Sequence, residues 1–531
     1  MQVSRTAALH DRVAQAVIDR YDGLPGRAKP QGKAWTVLAG IVAERKGELE
    51  VIALATGTRC VGLAAMVAGG GQVMHDCHAE VLCRRAFHRF LLAEMAWQVG
   101  SQQEGHQALE VCALCIKIGT LTPAKMWFSC WCPFNNRGPR GVPSRKARKP
   151  ILERLQGEEL QFGLAADLHF YVSTLPCGEC TLVPLQSSKE GTLARKLTEE
   201  TEPVQLQDRN RTGAKPSRGM PTDPKADGID FHRDGVLRYK SGRSDTRPDS
   251  QTVCYSCSDK LCRWNRLGWE GALLSRLLKE PLRMQSVVLG GCVYDAGFAH
   301  HALFGRGPPS ASAAPTFCHT SVQFHASREA VEALPGFAKV STAGLSLVWS
   351  AEPTGRTEAL PNRSISNNVP GFYDILIGHT GQRQGLRNDR QAKRVAVSHE
   401  VDSWVSPLCK KLMAQDVLSC LRHMLGDEAL ADWILKTDDS ERKRRRLSPA
   451  LGAMPPAVGE RAHAHFPSYA WLKEALSSGS FRAARAAFHA SEPFCHWGRK
   501  QTMVFKDDAH GVDGFAVPIP PSREVKLPLA R

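Results

Sequence analysis

Apolar positions along this chain switch between two periods. Over residues 7–20 they recur at helical spacing, with Val13, Val17 and Ile18 on one side. Two short unbroken runs, 35–42 (WTVLAGIV) and 51–55 (VIALA), predict strands of a buried sheet. Helical spacing returns over 78–98, and 167–174 alternates like a strand that ends at Pro176. Residues 258–279 read as a helix, 284–290 and 344–350 as strands, and 404–424 and 468–489 as two later helices. Strands alternating with helices predict a layered α/β domain. Polar, Pro/Gly-rich stretches at about 99–150, 182–228, 306–316, 351–366 and 427–462 read as insertions into one domain spanning 1–531.

Charge sharpens this picture. The 531 residues carry 69 Lys and Arg against 53 Asp and Glu, a net +16, which favours a polyanionic partner such as nucleic acid. No apolar run is long enough for a membrane helix, and the first residues (MQVSRTAALHDRVAQ) lack the basic-then-apolar order of a signal peptide. The expectation is a protein of the nucleus and/or cytoplasm, with no membrane and no obligate protein partner. In a reducing compartment the 17 cysteines are thiols or metal ligands. The run ERKRRRLSP (441–449) reads equally as a nuclear-import signal or RNA-binding arm and as a solvated loop.

Three segments carry chemistry: His78-Ala79-Glu80 opening a helix, Pro176-Cys177-Gly178-Glu179-Cys180 ending a strand, and Ser256-Cys257-Ser258-Asp259-Lys260 opening another helix. One imidazole and two thiolates suit Zn²⁺, and three protein ligands leave a fourth position for water. His78 and Glu80 reach one site only from a helix N-terminus, since mid-helix residues two apart face opposite ways. Glu80 then fills the acid/base role of the glutamate in H-x-E…P-C-x-x-C deaminases. Cys177 and Cys180 form a literal P-C-x-x-C, so Cys180 competes with Cys257 for the third ligand position.

At these residues the chain resembles the zinc-dependent adenosine deaminases acting on RNA. The resemblance rests on ATGTRC (55–60), HDCHAEVLCRR (75–85), STLPCG (173–178) and SCSDKLCRWNRLGWEGALL (256–274), and extends over about 7–505. Within that family the chain looks most like the tRNA-specific branch, through RTGAK (211–215) and DGVLRYKSGRSDTR (234–247). The resemblance implies a cytidine-deaminase-like three-layer α/β core with a mixed central sheet, extended by C-terminal helices. It implies zinc on His78, Cys177 and Cys257, favoured over Cys180 because the whole helix after Cys257 matches, with Glu80 as proton shuttle. Val37 and Thr58 fall where the family lines the nucleotide pocket, and Arg59 where a basic residue approaches RNA. The implied activity is hydrolytic deamination of adenosine to inosine in tRNA, at position 37 beside the anticodon of alanine tRNA. Other RNA, or RNA binding without catalysis, are the alternatives.

Arg84, Arg85, Lys260 and Arg263 share helices with core-type apolar residues, and burying several cations unpaired costs several kcal/mol each. A buried polyphosphate resolves this, and the resemblance implies inositol hexakisphosphate. The matching positions are Arg84, Arg85, Lys260, Arg263 and Trp264, then Lys410, Tyr469, Lys473, Arg485, Trp497 and Lys500. Glu270 stands where the family has Gln, and Asp76 with Lys260 matches a relay from metal to anion. Arg211, Lys215, Arg218, Lys240 and Arg243 are candidate RNA contacts. Cys112, Cys115, Cys130 and Cys132 read as free thiols rather than a structural zinc site, and the basic residues from Arg137 to Lys149 as a solvated loop.

Overall fold

The computed structural model describes residues 8–117 (side chains to 100), 148–181, 235–240, 252–353, 369–384, 404–433 and 469–497, with short gaps inside these spans, and strands at 214–216, 505–507 and 513–515. In chain order come α1 (Leu9–Asp22), β1 (Ala34–Trp35), β2 (Leu38–Arg45), β3 (Glu48–Thr56), β4 (Thr58–Cys60), α2 (Leu63–Ala68), β5 (Asp76–His78) and α3 (Ala79–Lys117). Next are β6 (Leu152–Arg154), β7 (Phe162–Leu164), β8 (Asp167–Val172), β9 (Ala214–Pro216), β10 (Arg238–Lys240), α4 (Cys257–Leu267) and β11 (Ser286–Leu289). Then follow α5 (Ala296–His300), β12 (Thr316–His319), α6 (Arg328–Glu332), β13 (Ser341–Thr342), β14 (Leu345–Ser350), β15 (Phe372–Ile377) and β16 (Gln382–Arg383). Helices α7 (Lys410–Leu425), α8 (Tyr469–Ala475) and α9 (Gly479–Ala490) follow.

Eight strands form one sheet, ordered β12-β11-β8-β2-β3-β14-β15-β16. β8, β11 and β12 run parallel to one another, and the remaining pairs are antiparallel, so the sheet is mixed. Alternation along β2 builds three layers. Leu38 and Val42 face the cluster that holds Val13 and Val17 of α1, whereas Ala39, Ile41 and Ala43 face the cluster that holds Phe87 and Leu91 of α3. Gly40 lets α1 lie directly on β2: a Cβ there would stand 2.5 Å from both Val17 methyl groups.

Most expected elements form, and the departures have local causes. The run 35–42 splits into β1 and β2, because the Thr36 N–H leaves the strand to donate to Ala326 O at 2.9 Å. The helix expected over 258–279 stops at Leu267, where Gly268 takes φ 113° and the Trp269 N–H turns to Leu282 O at 3.0 Å. The helix expected over 468–489 is two, because Ser478 caps a new start by accepting the Phe481 N–H. Part of the expected 99–150 insertion continues α3 to Lys117. Arg148 is no solvated loop charge either: it pairs with Glu50 at 2.6 Å and buried Glu94 at 3.3 Å. The cysteines at 112–132 and the run 441–449 lie outside the described side chains. No helix among the described residues is long and apolar enough to cross a membrane.

Candidate active site

His78 ends β5, one residue before α3, and Glu80 lies in the first turn of α3. The loop leaving β8 carries Cys177. Gly178 after it takes φ 107°, and a Cβ there would meet Ser256 Oγ at 2.3 Å, so glycine allows this loop to touch the start of α4. Cys257 is the first residue of α4, which Ser256 caps by accepting the Asp259 N–H at 3.2 Å. Three distant segments therefore converge. His78 Nδ1 stands 3.9 Å from Cys177 Sγ and 3.7 Å from Cys257 Sγ, and the three ligand atoms all lie within 4.8 Å of one another.

These spacings suit one small cation. Tetrahedral zinc with ordinary Zn–S and Zn–N bonds separates its ligand atoms by about 3.6–3.8 Å. Cys180 is not in the trio: it is buried, its N–H donates to Ser258 Oγ at 3.0 Å, and burial pushes its thiol up to about 12. A second grouping, Cys60, Asp76 and His78, shares the histidine, but its carboxylate is already taken by two lysines.

One of those lysines is Lys240, which sequence reasoning placed among surface RNA contacts. It is buried, donates to Asp76 Oδ1 and Oδ2 at 3.0 and 2.8 Å, and reaches Cys257 Sγ at 3.0 Å. Burial opposes its charge, but Asp76 and the thiols outweigh burial and hold its pKa well above the usual lysine value. Lys260 binds the same Asp76, so the expected Asp76–Lys260 contact exists and Lys240 extends it to a thiol. Between the two thiols, the hydrogen bond from Cys257 holds Cys177 low, and burial pushes Cys257 up.

His78 and Cys177 open on a cavity of about 660 Å³ lined also by Val37, Thr58, Arg59 and Glu80. Two buried oxygens there have no hydrogen-bond partner, Glu80 Oε2 and Thr58 Oγ1. Burial raises the Glu80 pKa, and the charges of His78 and Lys240 only partly oppose it. A carboxyl group raised in this way and aimed into a cavity is suited to moving protons. Arg59 lines the wall while donating from Nε and Nη2 to the carbonyls of Ala343 and Thr342, both at 3.1 Å.

Behind α4 the expected cations do cluster. Arg84 lies 4.7 Å over the Trp264 ring with its buried Nε unpartnered, and burial and neighbouring Arg263 lower its pKa to about 9. Burial and Arg485 lower Arg263 to about 10. Arg85 donates to Leu408 O, Lys473 lies 4.9 Å over the Tyr469 ring, and Trp497 stacks on Tyr255 at 4.0 Å. Lys410 Nζ is 3.2 Å from His75 Nδ1, and Arg485 pairs with Glu474. Glu270 is buried, and burial raises its pKa to about 7. Lys500, Arg211, Arg218 and Arg243 lie outside the described residues, and Lys215 outside the described side chains.

Sequence reasoning missed the site role of Lys240 and a buried ion cluster of Glu179, Asp259 and Arg306. Nothing local signalled the role of Lys240, which stands immediately before the polar stretch SGRSDTR, a stretch that reads as surface.

Comparison with known proteins agrees with this geometry. The family model described as the adenosine-deaminase (editase) domain matches residues 53–114 and 143–362, which include His78, Glu80, Cys177 and Cys257. The tRNA-specific adenosine deaminase 1 of Homo sapiens is 29% identical over 410 residues, covering 65% of this chain and 80% of that protein. That of Drosophila melanogaster is 28% identical over 381 residues, covering 70% and 74%. The double-stranded RNA-specific adenosine deaminase of Mus musculus is 28% identical over 294 residues, covering 54% of this chain and 20% of that protein.

Proposed function

Because the chain belongs to the adenosine-deaminase (editase) family, we propose that it hydrolyses adenosine to inosine in tRNA with a zinc ion, at position 37 beside the anticodon of alanine tRNA. The observation that carries this reading is the unpartnered Glu80 carboxyl oxygen at the cavity lined by His78 and Cys177, with the Cys257 sulfur within 4.8 Å of both their ligand atoms. The tRNA assignment draws on relatives covered over 80% and 74% of their length, against 20% for the duplex-RNA enzyme. The same reading treats 1–531 as a single domain, working in the nucleus and/or cytoplasm.

His78, Cys177 and Cys257 hold the zinc, which when bound acidifies a water molecule and makes it a nucleophile near neutral pH. Deamination adds water at C6 of the purine and expels ammonia. Glu80 takes a proton from the attacking water and passes it to N1, then carries the proton of the new C6 hydroxyl to the amine, so that the C6 carbonyl forms as the C6–N bond breaks and ammonia leaves. Val37 and Thr58 shape the pocket for the base, the Thr58 hydroxyl offering a free hydrogen-bond group, and Arg59 sits at the wall the RNA backbone passes. Lys240 places a positive charge against the Cys257 thiolate. An anticodon loop offers an unpaired adenosine, which lowers the cost of drawing the base into the cavity.

Total tRNA incubated with purified protein and sequenced for new inosines tests this reading. The expected result is inosine at one position beside the anticodon of alanine tRNA, and none with Glu80→Ala. Inosine confined to duplex RNA moves the substrate to the duplex-editing alternative, and RNA binding with no inosine in any RNA leaves only the non-catalytic one.

The crowded cations Arg84, Arg85, Arg263 and Arg485, with Lys260 linking to Asp76, hold inositol hexakisphosphate in this reading. Tyr469, Lys473, Lys410, Trp264 and Trp497 complete its surroundings in this reading, and Lys500 joins them on the family resemblance alone. Supporting this is repulsion among the cations on top of burial: Arg263 lowers the pKa of Arg84, Arg485 lowers that of Arg263, and the buried Arg84 Nε has no hydrogen-bond partner among the described residues. Acid-denatured wild-type protein is expected to release about one inositol hexakisphosphate per chain, whereas Arg85→Ala and Lys260→Ala yield unstable protein without it. Glu270 bears on the pH dependence. With its pKa at about 7 it is neutral below that pH and repels the polyanion above it, so retention weakens as pH rises through 7 and Glu270→Gln removes the loss. Wild-type protein that releases no inositol phosphate refutes this part of the reading.

A further inference from the structure

We propose that Arg306 is a positioning residue for the metal centre, one buried guanidinium that sets the distance between the Cys177 loop and the Cys257 helix. The proposal rests on reading the trio as a zinc site. Glu179 stands two residues after Cys177, and Asp259 two residues after Cys257. Both carboxylates are fully buried, and both meet the same nitrogen: Arg306 Nη1 lies 2.8 Å from Glu179 Oε2 and 2.7 Å from Asp259 Oδ1.

The guanidinium cannot turn to favour one partner. Its Nε and Nη2 both donate to Ala302 O, at 3.1 and 2.8 Å, and Ala302 belongs to a single wide π-type turn, His301–Gly305. Of its partners, Asp259 is fixed by hydrogen bonds in its turn. Asp259 Oδ2 accepts the Arg238 N–H at 2.9 Å and the Ser256 hydroxyl at 2.7 Å, whereas Glu179 is held by charge, its Oε1 3.1 Å from His301 Nε2 with no hydrogen bond to either carboxylate oxygen among the described residues. The Phe494 ring lies 5.5 Å from the guanidinium. Displacing Arg306 therefore moves each carboxylate, and with it the thiol two residues earlier. The planar fork matters: lysine offers one point charge and cannot meet two carboxylates and a carbonyl in these directions.

A second tie joins the same segments. Ser258 Oγ donates to the carbonyl of Pro176 or Cys177, each 3.0 Å away, and accepts the Cys180 N–H. A chain without the guanidinium thus keeps the two segments in contact while losing their exact separation, and this makes folding and metal affinity separable.

The test measures zinc affinity by chelator competition, and thermal unfolding, on the full-length protein. Arg306→Lys keeps the charge, and the triple variant Glu179→Gln/Asp259→Asn/Arg306→Met removes all three charges together. Both are expected to melt cooperatively and to bind zinc roughly 10- to 100-fold more weakly than wild type, the range typical of partners that orient metal ligands. A triple variant with wild-type zinc affinity means the cluster only balances charge and overturns the proposal, as does unaltered affinity in Arg306→Lys. Failure of both variants to fold makes Arg306 a brace of the fold and also overturns it. Wild-type protein without tight zinc brings down the metal reading itself, an outcome distinct from tight wild-type zinc with indifferent variants.

Discussion

Glu80→Gln is expected to lower kcat on tRNA by about 10²–10⁴-fold while leaving zinc content and RNA affinity at wild-type values. The substitution keeps the shape of the side chain and removes only its capacity to exchange a proton. Glu80 is not a member of the ligand trio, so the metal has no reason to leave. Nor does the change break an existing bond, because Glu80 Oε2 has no hydrogen-bond partner to lose. Burial already raises the carboxyl pKa, and a neutral amide avoids the cost of ionising there. The folded state is therefore expected to be as stable as wild type, or slightly more so. Single-turnover deamination, zinc content and thermal unfolding of the same preparation check all three statements. A variant that retains a tenth or more of wild-type kcat removes Glu80 from the proton path. One that is inactive only because zinc is lost makes it part of the metal-binding structure instead.

The parts legible in the sequence are those in which neighbouring residues share a task. His78 and Glu80 lie within three residues, Cys177 sits between a proline and a glycine that reverses the backbone, and Ser256 caps the helix that Cys257 opens. Each is a local pattern, and each takes its expected place. Lys240 was misread because its environment is set at long range: its partners Asp76 and Cys257 lie 164 and 17 residues away. A lysine beside a polar stretch reads as solvated until those partners are known. Strand β15 escaped for a related reason. Asp374 interrupts the apolar run Phe372–Ile377, and its carboxylate is met from outside the strand by Arg383 at 2.6 Å and the Ser406 hydroxyl at 2.8 Å. Arg306 opens a stretch read as an insertion, yet it is 3% exposed and carries the only guanidinium that meets both Glu179 and Asp259 among the described residues. In all three cases the error lay in treating a charge as a sign of solvent, when its compensating partner came from another part of the chain.

The competition between Cys257 and Cys180 yields the second large effect. Cys257→Ser is expected to give protein that loses its zinc on dialysis against a chelator and deaminates more than about 10³-fold more slowly, because a hydroxyl is a poor zinc ligand and two remaining ligands hold the ion weakly. The structure gives the serine no compensating gain: at this position the Lys240 ammonium, 3.0 Å from Sγ, faces a neutral hydroxyl where it had a sulfur able to carry charge. Cys180→Ser is expected to keep both metal and activity. Its thiol is buried in the main apolar cluster with a pKa pushed up to about 12, so it remains protonated near neutral pH. Its backbone tie to Ser258 does not involve the side chain. Placing a hydroxyl in that apolar setting costs about 1–3 kcal/mol of stability, visible as a lower melting temperature with zinc stoichiometry unchanged. Zinc content of the two purified variants separates the ligand sets directly. Metal retained by Cys257→Ser and lost by Cys180→Ser means that the loop after β8 supplies both thiolates, in the P-C-x-x-C manner, and that α4 serves the site through its buried charges alone.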